Sequence, residues 1–548
     1  MISLDRRLAE WAVRKPDAPA FTFLKRGEAP ERELTFAGLD RRARQIAAQL
    51  SDAGLAGQPV ALIYPSGLEF IEAFCGCLYA GAIPAALPLP ANARAAGRCA
   101  VICRAAGFAA ILTASSQLDA PALEPVRAAV PDAPWICTDG VPDEADGVHI
   151  DVEGGAPAFL QFTSGSTSEP RGVVITHDNL TANQQMIAEA FGYREDECSV
   201  GWLPLHHDMG LIGTVLQPIH LGARSVLMSP QSFLQKPVRW LQAISAYRGT
   251  SSGGPNFGYA QCLDRIAPAD CAGLDLSSWK VAFCGAEPVR PVTLRRFAGR
   301  FEANGFEASA LFPCYGMAEA TLLVTGGPCG SGLRLAKGAG GRETASCGQG
   351  WGEQTITIVD PERRVPMPEG QAGEIWLTGP HIAKGYRNDP EGTARAFEAR
   401  LVGGHTPHLR TGDIGFMRGN ELIVTGRLKD LLIVRGANIH PEDVEETVRG
   451  SDPALAGAGC AAFALGDEDD RVTVVVELAQ SSGGGDRSAL SKSASAAILL
   501  EHGFAPDRVL FVAPGCIPRT TSGKVRRRAC REHYLQGRMV QLASQEGV

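Results

Sequence analysis

The strongest constraint on the fold is an alternation of short apolar or β-branched runs with segments of helical period. An apolar run at 60–64 precedes a helical segment at 66–80, and further apolar runs occupy 110–113 and 158–162. Such alternation predicts βα units in largely parallel sheets that helices cover on both faces. The pattern continues through 224–301. The predicted fold class is therefore α/β, with a large N-terminal domain of mostly parallel sheets and covering helices.

The pattern changes near residue 425. Strand and turn character at 374–377 and 421–425 leads into Gly426-Arg-Leu-Lys-Asp430, and a mixture of short strands and helices follows. A chain of 548 residues is also too long for one ordinary hydrophobic core. We therefore predict an N-terminal domain at 1–425 and a small α+β domain at 426–548, with the glycine-rich segment 481–486 as a loop inside the second.

Composition excludes several classes of protein. A net charge of -8 argues against a nucleic-acid binder, which normally carries a basic excess. The charged first turns lack the apolar core of a signal peptide, so we expect a cytoplasmic protein. The apolar stretch at 70–90 contains Glu72 and three prolines, which disfavours a membrane span. The 15 cysteines show no paired metal-type spacing, and most are expected to be reduced and buried.

The sharpest local signal is the polar run Thr163-Ser-Gly-Ser-Thr-Ser-Glu-Pro-Arg-Gly172, which lies between predicted strands at 158–162 and 173–176. Glycine amides and hydroxyls packed this densely can surround phosphate oxygens, and Arg171 can reach the terminal phosphates. The run is not a Walker A loop, because it lacks the closing Gly-Lys-Ser/Thr and leads into a strand. Taken alone it fits a polar surface loop equally well.

Four further motifs follow this run in a fixed order: Tyr315-Gly-Met-Ala-Glu319, Thr411-Gly-Asp413, Gly426-Arg427 and Pro518-Arg-Thr-Thr-Ser-Gly-Lys524. With them the chain resembles, nearly end to end, the superfamily of acyl-CoA synthetases, nonribosomal adenylation domains and beetle luciferases. Any one of these short motifs would be weak evidence, whereas five in order are specific.

Connecting segments resemble one branch of that superfamily more closely. They are 202–213 (WLPLHHDMGLIG), 252–257 (SGGPNF), 283–289 (FCGAEPV), 312–321 (FPCYGMAEAT) and 346–348 (SCG). These segments are similar to fatty acyl-AMP ligases. That branch usually carries an inserted segment after the Tyr-Gly-x-Ala-Glu motif, and the glycine-rich segment 320–345 is shorter than the usual insertion.

The resemblance implies ATP-dependent activation of a fatty or related carboxylic acid to an acyl-adenylate with release of pyrophosphate. It further implies acyl transfer to the phosphopantetheine thiol of an acyl carrier protein, with ATP as substrate and Mg²⁺ as cofactor. The short segment 320–345 leaves an acyl-CoA ligase as the alternative. A non-catalytic adenylate-binding protein is a third reading, disfavoured because Glu319 and Lys524 are both present. A luciferase-like oxygenase also stays open, since fold resemblance alone does not settle a reaction.

By the same resemblance, the N-terminal domain carries the ATP and acyl sites and the C-terminal domain carries the catalytic lysine. Lys524 supplies positive charge to the carboxylate and the α-phosphate, and Glu319 is a hard oxygen ligand for Mg²⁺ with Thr167 as a candidate second ligand. His207 lies beside the reacting carboxylate, and Lys429 is the pivot of the small domain. Structural alternatives exist for each, such as a surface lysine or a helix-capping glutamate.

The remaining candidates bind ATP or the acid. The expected ATP and AMP contacts are Thr163, Ser164, Gly165, Ser166, Thr167, Arg171, Gly285, Ala286, Glu287, Tyr315, Gly316, Met317, Asp413 and Arg427. Asp413 and Arg427 are expected at the ribose, Tyr315 at the face of adenine. The expected acyl-pocket residues are Met209, Ser252, Gly253 and Gly254.

A basic cluster, Arg526-Arg-Arg528 with Arg531, stands out in an acidic chain. Our hypothesis is that it helps to dock an acidic carrier protein through salt-sensitive steering. A solvated helix face beside phosphate chemistry would explain the cluster as well.

Overall fold

The computed structural model describes residues 2–140, 147–163, 170–193, 196–337, 343–434, 437–466, 471–478, 487–519, 525–539 and 542. These residues form two compact units. The first extends to Val424 apart from Gly412–Gly415, and the second consists of those four residues and the chain from Thr425 onward. The division of chemical tasks between two domains stays a prediction.

The described strands alternate with helices along the first unit and continue into the second. In chain order the strands are Pro19–Lys25 (β1), Ala29–Thr35 (β2), Pro59–Tyr64 (β3), Ile83–Pro88 (β4), Ala110–Thr113 (β5), Trp135–Cys137 (β6), Pro157–Thr163 (β7), Arg171–Thr176 (β8), Cys198–Gly201 (β9), Arg224–Leu227 (β10), Ser251–Gly254 (β11), Val281–Cys284 (β12), Leu311–Gly316 (β13), Leu323–Gly326 (β14), Leu335–Lys337 (β15), Glu343–Ala345 (β16), Gln349–Gly350 (β17), Thr355–Val359 (β18), Gly373–Thr378 (β19), Gly385–Tyr386 (β20), Leu409–Arg418 (β21), Glu421–Arg427 (β22), Leu432–Val434 (β23), Ala437–Ile439 (β24), Gly459–Ala464 (β25), Val472–Glu477 (β26) and Arg508–Val512 (β27).

The described helices are Leu4–Arg14 (α1), Phe36–Asp52 (α2), Leu68–Tyr79 (α3), Ala93–Ala106 (α4), Glu124–Ala129 (α5), His177–Phe191 (α6), Asp208–Leu211 (α7), Gln217–Leu221 (α8), Pro230–Gln235 (α9), Val238–Tyr247 (α10), Asn256–Arg265 (α11), Pro291–Phe301 (α12), Pro390–Phe397 (α13), Pro441–Gly450 (α14), Arg487–His502 (α15) and Arg527–Leu535 (α16). One turn of π-helix, Ile212–Leu216, separates α7 from α8.

Two large sheets dominate the first unit. Among the described residues one has nine strands in the order β17-β14-β13-β12-β11-β9-β10-β1-β2, and the other has seven in the order β20-β8-β7-β4-β3-β5-β6. The inner strands of both sheets are parallel, while β2, β14, β17, β8 and β20 join antiparallel at or near the edges. A four-stranded sheet, β18-β19-β21-β22, follows. The predicted α/β class is confirmed, with antiparallel edges that the sequence pattern did not indicate.

The apolar stretch at 70–90 belongs to the core of the first unit. The first five residues of β4 are buried, as are the side chains that α3 presents on nearly all of its faces. Glu72 of α3 is buried too, and its Oε1 lies 2.5 Å from Nη2 of Arg32, so the charge is paired. In the part of the chain that the structure describes, no helix is both long enough and apolar enough to cross a membrane.

The second unit has its own core. Strands β25 and β26 pair antiparallel and β27 joins β26 in parallel, so the unit mixes strands and helices as predicted. Apolar side chains of α14 and α15, including Val444, Val448 and Ile498, pack with Val474 and Val476 of β26 in one cluster. The loop predicted at 481–486 lies outside the described residues.

Candidate active site

Four neighbouring parallel strands, β9, β11, β12 and β13, end at one edge of the nine-stranded sheet. The segments that follow these strands contain or border His207, Gly254, Gly285 and Tyr315. In open α/β sheets, ligands bind outside the carboxyl ends of the strands. Candidates found separately from motifs therefore share one sheet edge.

The turn after β12 contains Gly285, Ala286 and Glu287. A Cβ atom on Gly285 would lie 2.9 Å from the carbonyl oxygen and from Sγ of Cys314, so the neighbouring strand leaves no room for a side chain. Ala286 has φ +67°, a left-handed conformation that is strained for alanine and is common at functional sites. Oε1 of Glu287 accepts a hydrogen bond of 2.6 Å from the amide of Phe257. Close packing of Gly285 against Cys314 and the hydrogen bond between Glu287 and Phe257 therefore both hold this turn in place.

Strand β13 ends with Tyr315 and Gly316, and the next turn begins at Met317. Gly316 allows a very close approach of the chain to itself, because a Cβ atom there would lie 1.9 Å from the carbonyl oxygen of Leu322. The hydroxyl of Tyr315 lies 3.9 Å from Sδ of Met317. The amide of Met317 donates to the carbonyl of Leu322 at 2.9 Å, which closes the turn. Glu319 follows in a short 3₁₀ helix, Ala318–Ala320.

The ends of the polar run face each other across the hairpin of β7 and β8, where Thr163 is the register partner of Arg171. Ser164, Gly165, Ser166 and Thr167 lie outside the described residues. Two residues from a distant segment hold Arg171. Its guanidinium carbon lies 5.0 Å from the ring centroid of Tyr386, and its Nε lies 3.5 Å from Oδ2 of Asp389.

Tyr386 also contacts Glu319. The tyrosine hydroxyl donates a hydrogen bond of 2.9 Å to Oε1 of Glu319, and the backbone carbonyl of Glu319 accepts one of 2.9 Å from Ala383. Burial, together with the adjacent Glu319 carboxylate, raises the pKa of Tyr386 well above its ordinary value, so the phenol is protonated at neutral pH. Arg171 and Glu319, predicted separately to bind phosphate and metal, therefore contact one side chain.

The donor set fits a magnesium ion that shares its ligands with a nucleotide. Mg²⁺ in phosphate-transfer sites takes one or two protein carboxylates and completes its shell with phosphates and water. Glu319 supplies such a carboxylate, oriented by the hydroxyl of Tyr386. Within the described residues, no group of three or more His, Cys, Asp or Glu side chains could hold a metal by itself. Thr167, the candidate second ligand of Mg²⁺, lies outside the residues that the structure describes.

His207 precedes α7 and is oriented by Asp208. Its Nδ1 lies 2.6 Å from Oδ1 of Asp208, and the amide of Met209 lies 3.4 Å from the same ring nitrogen. The amide of Met209 donates to the same oxygen at 2.7 Å. The neighbouring His206 is neutral, because burial lowers its pKa to about 4. Its backbone carbonyl accepts a hydrogen bond from Nε2 of Gln161 at 3.0 Å. The Gln161 contact ties the histidine segment to β7.

The candidate acyl-pocket residues lie in the packed interior. Met209 is 8% exposed. Ser252 accepts from Nε1 of Trp240 at 2.7 Å and donates to the carbonyl of Val200. A Cβ atom on Gly253 would lie 2.1 Å from the carbonyl oxygen of Phe283, and one on Gly254 would lie 2.7 Å from Cζ2 of Trp202. Packing alone accounts for the small residues of β11, and their role toward an acyl chain stays a prediction.

Asp413 and Arg427 form a contact within the second unit. Nε of Arg427 donates to Oδ1 of Asp413 at 3.0 Å, and Asp413 is 6% exposed whereas Arg427 is exposed. Gly426 is required beside them because a Cβ atom there would lie 2.3 Å from Nδ1 of His440. Lys429 is exposed within the 3₁₀ turn Leu428–Asp430. Lys524 lies outside the described residues.

The docking hypothesis for the basic cluster is wrong for Arg527. Its side chain is 11% exposed and points into a carboxylate cluster: its Nη1 lies 2.7 Å from Glu442, and its Nε lies 2.7 Å from Glu445. A guanidinium engaged in this way cannot contact a partner protein. Arg528 is 58% exposed and lies 3.5 Å from Glu532, so docking of a carrier protein by Arg528 with Arg526 and Arg531 stays a prediction.

Sequence reasoning missed Tyr386 and Asp389. Asp389 precedes a proline and caps α13 through a 2.8 Å hydrogen bond from the amide of Gly392, which is a recognisable helix start. Nothing in the local sequence indicates that Tyr386 reaches Glu319, which lies 67 residues earlier.

Comparison with known proteins agrees with this geometry. Residues 8–387 match the family described as AMP-binding enzyme, and residues 429–544 match the Disco-interacting protein 2-like AMP domain. The medium-chain-fatty-acid–[acyl-carrier-protein] ligase JamA of Moorena producens (strain JHB) is 39% identical, over 95% of this chain and 93% of its own. The ligase of the same description, TtuA of Teredinibacter turnerae (strain ATCC 39867 / T7901), is 35% identical, over 100% of this chain and 97% of its own.

Among solved structures, the fatty acyl-adenylate ligase from L. pneumophila in complex with acyl adenylate and pyrophosphate matches with a TM-score of 0.76 and 36% identity, over 100% of this chain and 98% of that chain. Both the relatives and the structure extend over almost the whole chain. The chain therefore belongs to the AMP-binding, adenylate-forming enzyme superfamily, in its fatty acyl-AMP ligase branch.

Proposed function

We propose that this fatty acyl-AMP ligase activates a medium-chain fatty acid and loads it onto an acyl carrier protein. In the first step a carboxylate oxygen of the acid attacks the α-phosphorus of ATP, and pyrophosphate leaves. In the second step the phosphopantetheine thiol attacks the acyl carbon, and AMP leaves. The observation that carries the proposal is the assembly of Arg171 and Glu319 around Tyr386, near the β13 turn that bears Tyr315.

The phosphate chemistry is assigned to Arg171, Glu319 and Lys524. Catalysis of phosphoryl and adenylyl transfer rests on positioning and on electrostatic stabilisation of the phosphate oxygens. Arg171 and the hydroxyls and amides of the run from Thr163 to Thr167 bind the phosphates. Glu319, with Thr167, holds Mg²⁺, which neutralises phosphate charge when bound. Lys524 places its positive charge between the carboxylate of the acid and the α-phosphate.

The nucleoside and the acid are assigned to separate sets of residues. The turns 285–287 and 315–317 enclose adenine, and Asp413 with Arg427 binds the ribose hydroxyls. His207 contacts the reacting carboxylate through Nε2, because Nδ1 is committed to Asp208. Met209 and the small residues Ser252, Gly253 and Gly254 line the start of the acyl chain's path. Lys429 is the pivot about which the small domain changes position between the two steps.

The acceptor is assigned to a carrier protein because two full-length relatives are named as carrier-protein ligases, and both names specify medium-chain acids. Coenzyme A is the alternative acceptor. It is favoured by the short connection after Glu319, in which β14 is followed by a hairpin, with Leu335 paired to Ala345, and then by β17. We place the reaction in the cytoplasm, where ATP is available.

The test has two stages. Acid-dependent exchange of pyrophosphate into ATP, measured across short-, medium- and long-chain acids, should be fastest with medium-chain acids. The purified enzyme then receives ATP, the preferred acid and either CoA or a phosphopantetheinylated carrier protein, and the thioester is measured by mass spectrometry. Acyl-carrier protein without acyl-CoA supports the proposal. Rapid formation of acyl-CoA assigns the alternative, and no exchange with any acid would refute adenylation.

A further inference from the structure

Backbone pairing between two distant segments of the chain fixes Tyr386 beside the end of the polar run. Tyr386 lies in β20, which pairs antiparallel with β8 so that Tyr386 faces Val173. The next residue, Arg387, donates its amide to the carbonyl of Gly172 at 2.8 Å. Since β8 begins at Arg171, the backbone of Tyr386 is held within two residues of the predicted phosphate-binding cation.

Helix α13 holds the same strand from the other side. Gly385 has φ +135°, and a Cβ atom there would lie 2.4 Å from Cγ2 of Thr393. The amide of Tyr386 donates to Oγ1 of Thr393 at 2.9 Å, and that hydroxyl donates in turn to the carbonyl of Asp389 at 2.8 Å. A left-handed glycine and a half-buried hydroxyl therefore specify the position of Tyr386.

The side chain of Tyr386 uses both its ring and its hydroxyl. The guanidinium carbon of Arg171 lies 5.0 Å from the ring centroid, and Phe397 packs edge-on at 5.2 Å. The hydroxyl donates to Oε1 of Glu319 at 2.9 Å. An ordinary core tyrosine would pack its ring and find any acceptor. Here the acceptor is the predicted metal ligand, and the cation on the ring is the predicted phosphate ligand.

We propose that Tyr386 is a positioning residue for adenylation: its hydroxyl orients the carboxylate of Glu319, and its ring holds the guanidinium of Arg171. The proposal rests on the function assigned above. It makes one side chain responsible for the spacing between the metal ligand and the phosphate-binding cation. Hydrogen-bond partners of metal ligands typically contribute a factor of about 10 to 100 in metal affinity or activity.

The main test compares Tyr386→Phe, which removes only the hydroxyl, with Tyr247→Phe. Tyr247 is a matched control because its ring also lies 5.0 Å from an arginine, Arg224, which stands at the amino end of β10 and not at the carboxyl ends of the strands. Binding of ATP to the whole protein is measured by calorimetry over a range of Mg²⁺ concentrations, without fatty acid. Tyr386→Phe should raise the Mg²⁺ concentration for half-maximal binding about 10- to 100-fold. Tyr247→Phe should leave it unchanged.

Two further variants separate positioning from a merely structural role. In a Glu319→Gln background, Tyr386→Phe should add little, because the two groups act as a unit. Tyr386→Leu also removes the ring from Arg171 and should raise the KM for ATP even at saturating Mg²⁺. A wild-type Mg²⁺ response in Tyr386→Phe, or effects of Tyr386→Phe and Glu319→Gln that simply add, would overturn the proposal. So would a lowered Tm with an unchanged Mg²⁺ response.

The binding measurement keeps this test separate from the proposed function. If the wild-type protein binds ATP with Mg²⁺ but exchanges pyrophosphate with no fatty acid, the substrate assignment fails. The Mg²⁺ response of Tyr386→Phe still decides the role of Tyr386 in that case, because it needs no acid.

Discussion

Replacing Arg527 with Met should destabilise the second unit while leaving the first intact. The side chain of Arg527 is 11% exposed, and its guanidinium contacts three carboxylates. Nη1 lies 3.2 Å from Asp430 and 2.7 Å from Glu442, while Nε and Nη2 donate to the two oxygens of Glu445 at 2.7 and 3.0 Å. The fork of donors therefore balances a cluster of like charges that would otherwise face one another.

The size of the expected loss in stability follows from the burial of that carboxylate cluster. Methionine keeps most of the packing volume but removes the nearest counter-charge, which leaves Glu445, itself 3% exposed, beside Asp430 and Glu442 with Arg449 at 3.8 Å. Removing one partner of a buried ion pair costs about 3–5 kcal/mol. At a factor of ten per 1.4 kcal/mol, local opening of α14 and α16 should become roughly two to four orders of magnitude more frequent.

The assay must distinguish the two units, because unfolding of a two-unit chain is not a single transition. Hydrogen exchange read by mass spectrometry over α14 and α16 reports on the second unit. Tryptophan fluorescence reports on the first, which contains all 7 tryptophans: Trp11, Trp135, Trp202, Trp240, Trp279, Trp351 and Trp376. Arg527→Met should accelerate exchange in the second unit and leave the urea midpoint of tryptophan fluorescence unchanged.

Arg528→Met is the matched control. Arg528 is adjacent, of the same type and 58% exposed, and exposed ion pairs contribute at most about 1 kcal/mol. Exchange over α14 and α16 should therefore stay near that of the wild type. Equal exchange rates in Arg527→Met and Arg528→Met would refute the reasoning. A loss of acyl transfer in an Arg527 variant therefore cannot be attributed to carrier docking unless exchange in the second unit is unchanged.

Three further changes test other parts of the structure. Burial raises the folded-state pKa of Glu442 to about 7, above its unfolded value. The stabilisation from protonated Glu442 is thus complete below its unfolded pKa and is lost as pH rises through the folded one. Wild-type stability should fall relative to Glu442→Gln between about pH 5 and pH 8, measured by hydrogen exchange of α14; a constant difference would contradict this. Gly316→Ala would place Cβ 1.9 Å from the carbonyl oxygen of Leu322, so we expect a loss of about 1–3 kcal/mol in urea unfolding and weaker ATP binding, with the uncrowded Gly299→Ala as control. Asp413→Asn keeps the shape but removes the charge at a 6% exposed position, so the KM for ATP in pyrophosphate exchange should rise about 10- to 100-fold with a smaller change in kcat; equal KM values would argue against ribose binding.

The parts of the fold that sequence could predict are those set by local pattern. The apolar run predicted at 110–113 is β5 with the same bounds, and the runs at 60–64 and 158–162 lie within β3 and β7. The spacing of apolar residues predicts such helices and strands, because each of them must bury one or two of its faces. Several nominated residues follow neighbouring parallel strands, so α/β topology alone brings the segments of His207, Gly285 and Tyr315 to one edge.

The parts that could not be predicted depend on contacts between distant segments. The strand that carries Tyr386 has only two residues and exists because it pairs with β8. Arg527 stands between two arginines, and charge pattern alone assigns all three to a solvated face; burial of the middle one depends on where α14 places Glu442 and Glu445. The 2.6 Å contact between Nδ1 of His207 and Oδ1 of Asp208 is likewise one that no spacing rule indicates.

Tyr386 and Arg527 each hold charged side chains in place, Tyr386 in the first unit and Arg527 in the second. A charged side chain that is held in place before a ligand binds loses less conformational entropy on binding than an unrestrained one. Tyr386 restrains Glu319 and Arg171 by contacts within the first unit. In the second unit, the amide of Arg526 donates to the carbonyl of Pro518 at 2.8 Å, and Arg519 forms a β-bridge with Val525. These contacts join the chain on either side of the segment that contains the predicted catalytic Lys524. Arg527 then fixes that junction to α14. The two restraints should be separable by exchange: Tyr386→Phe should weaken ATP binding without changing exchange over α14, whereas Arg527→Met should accelerate that exchange.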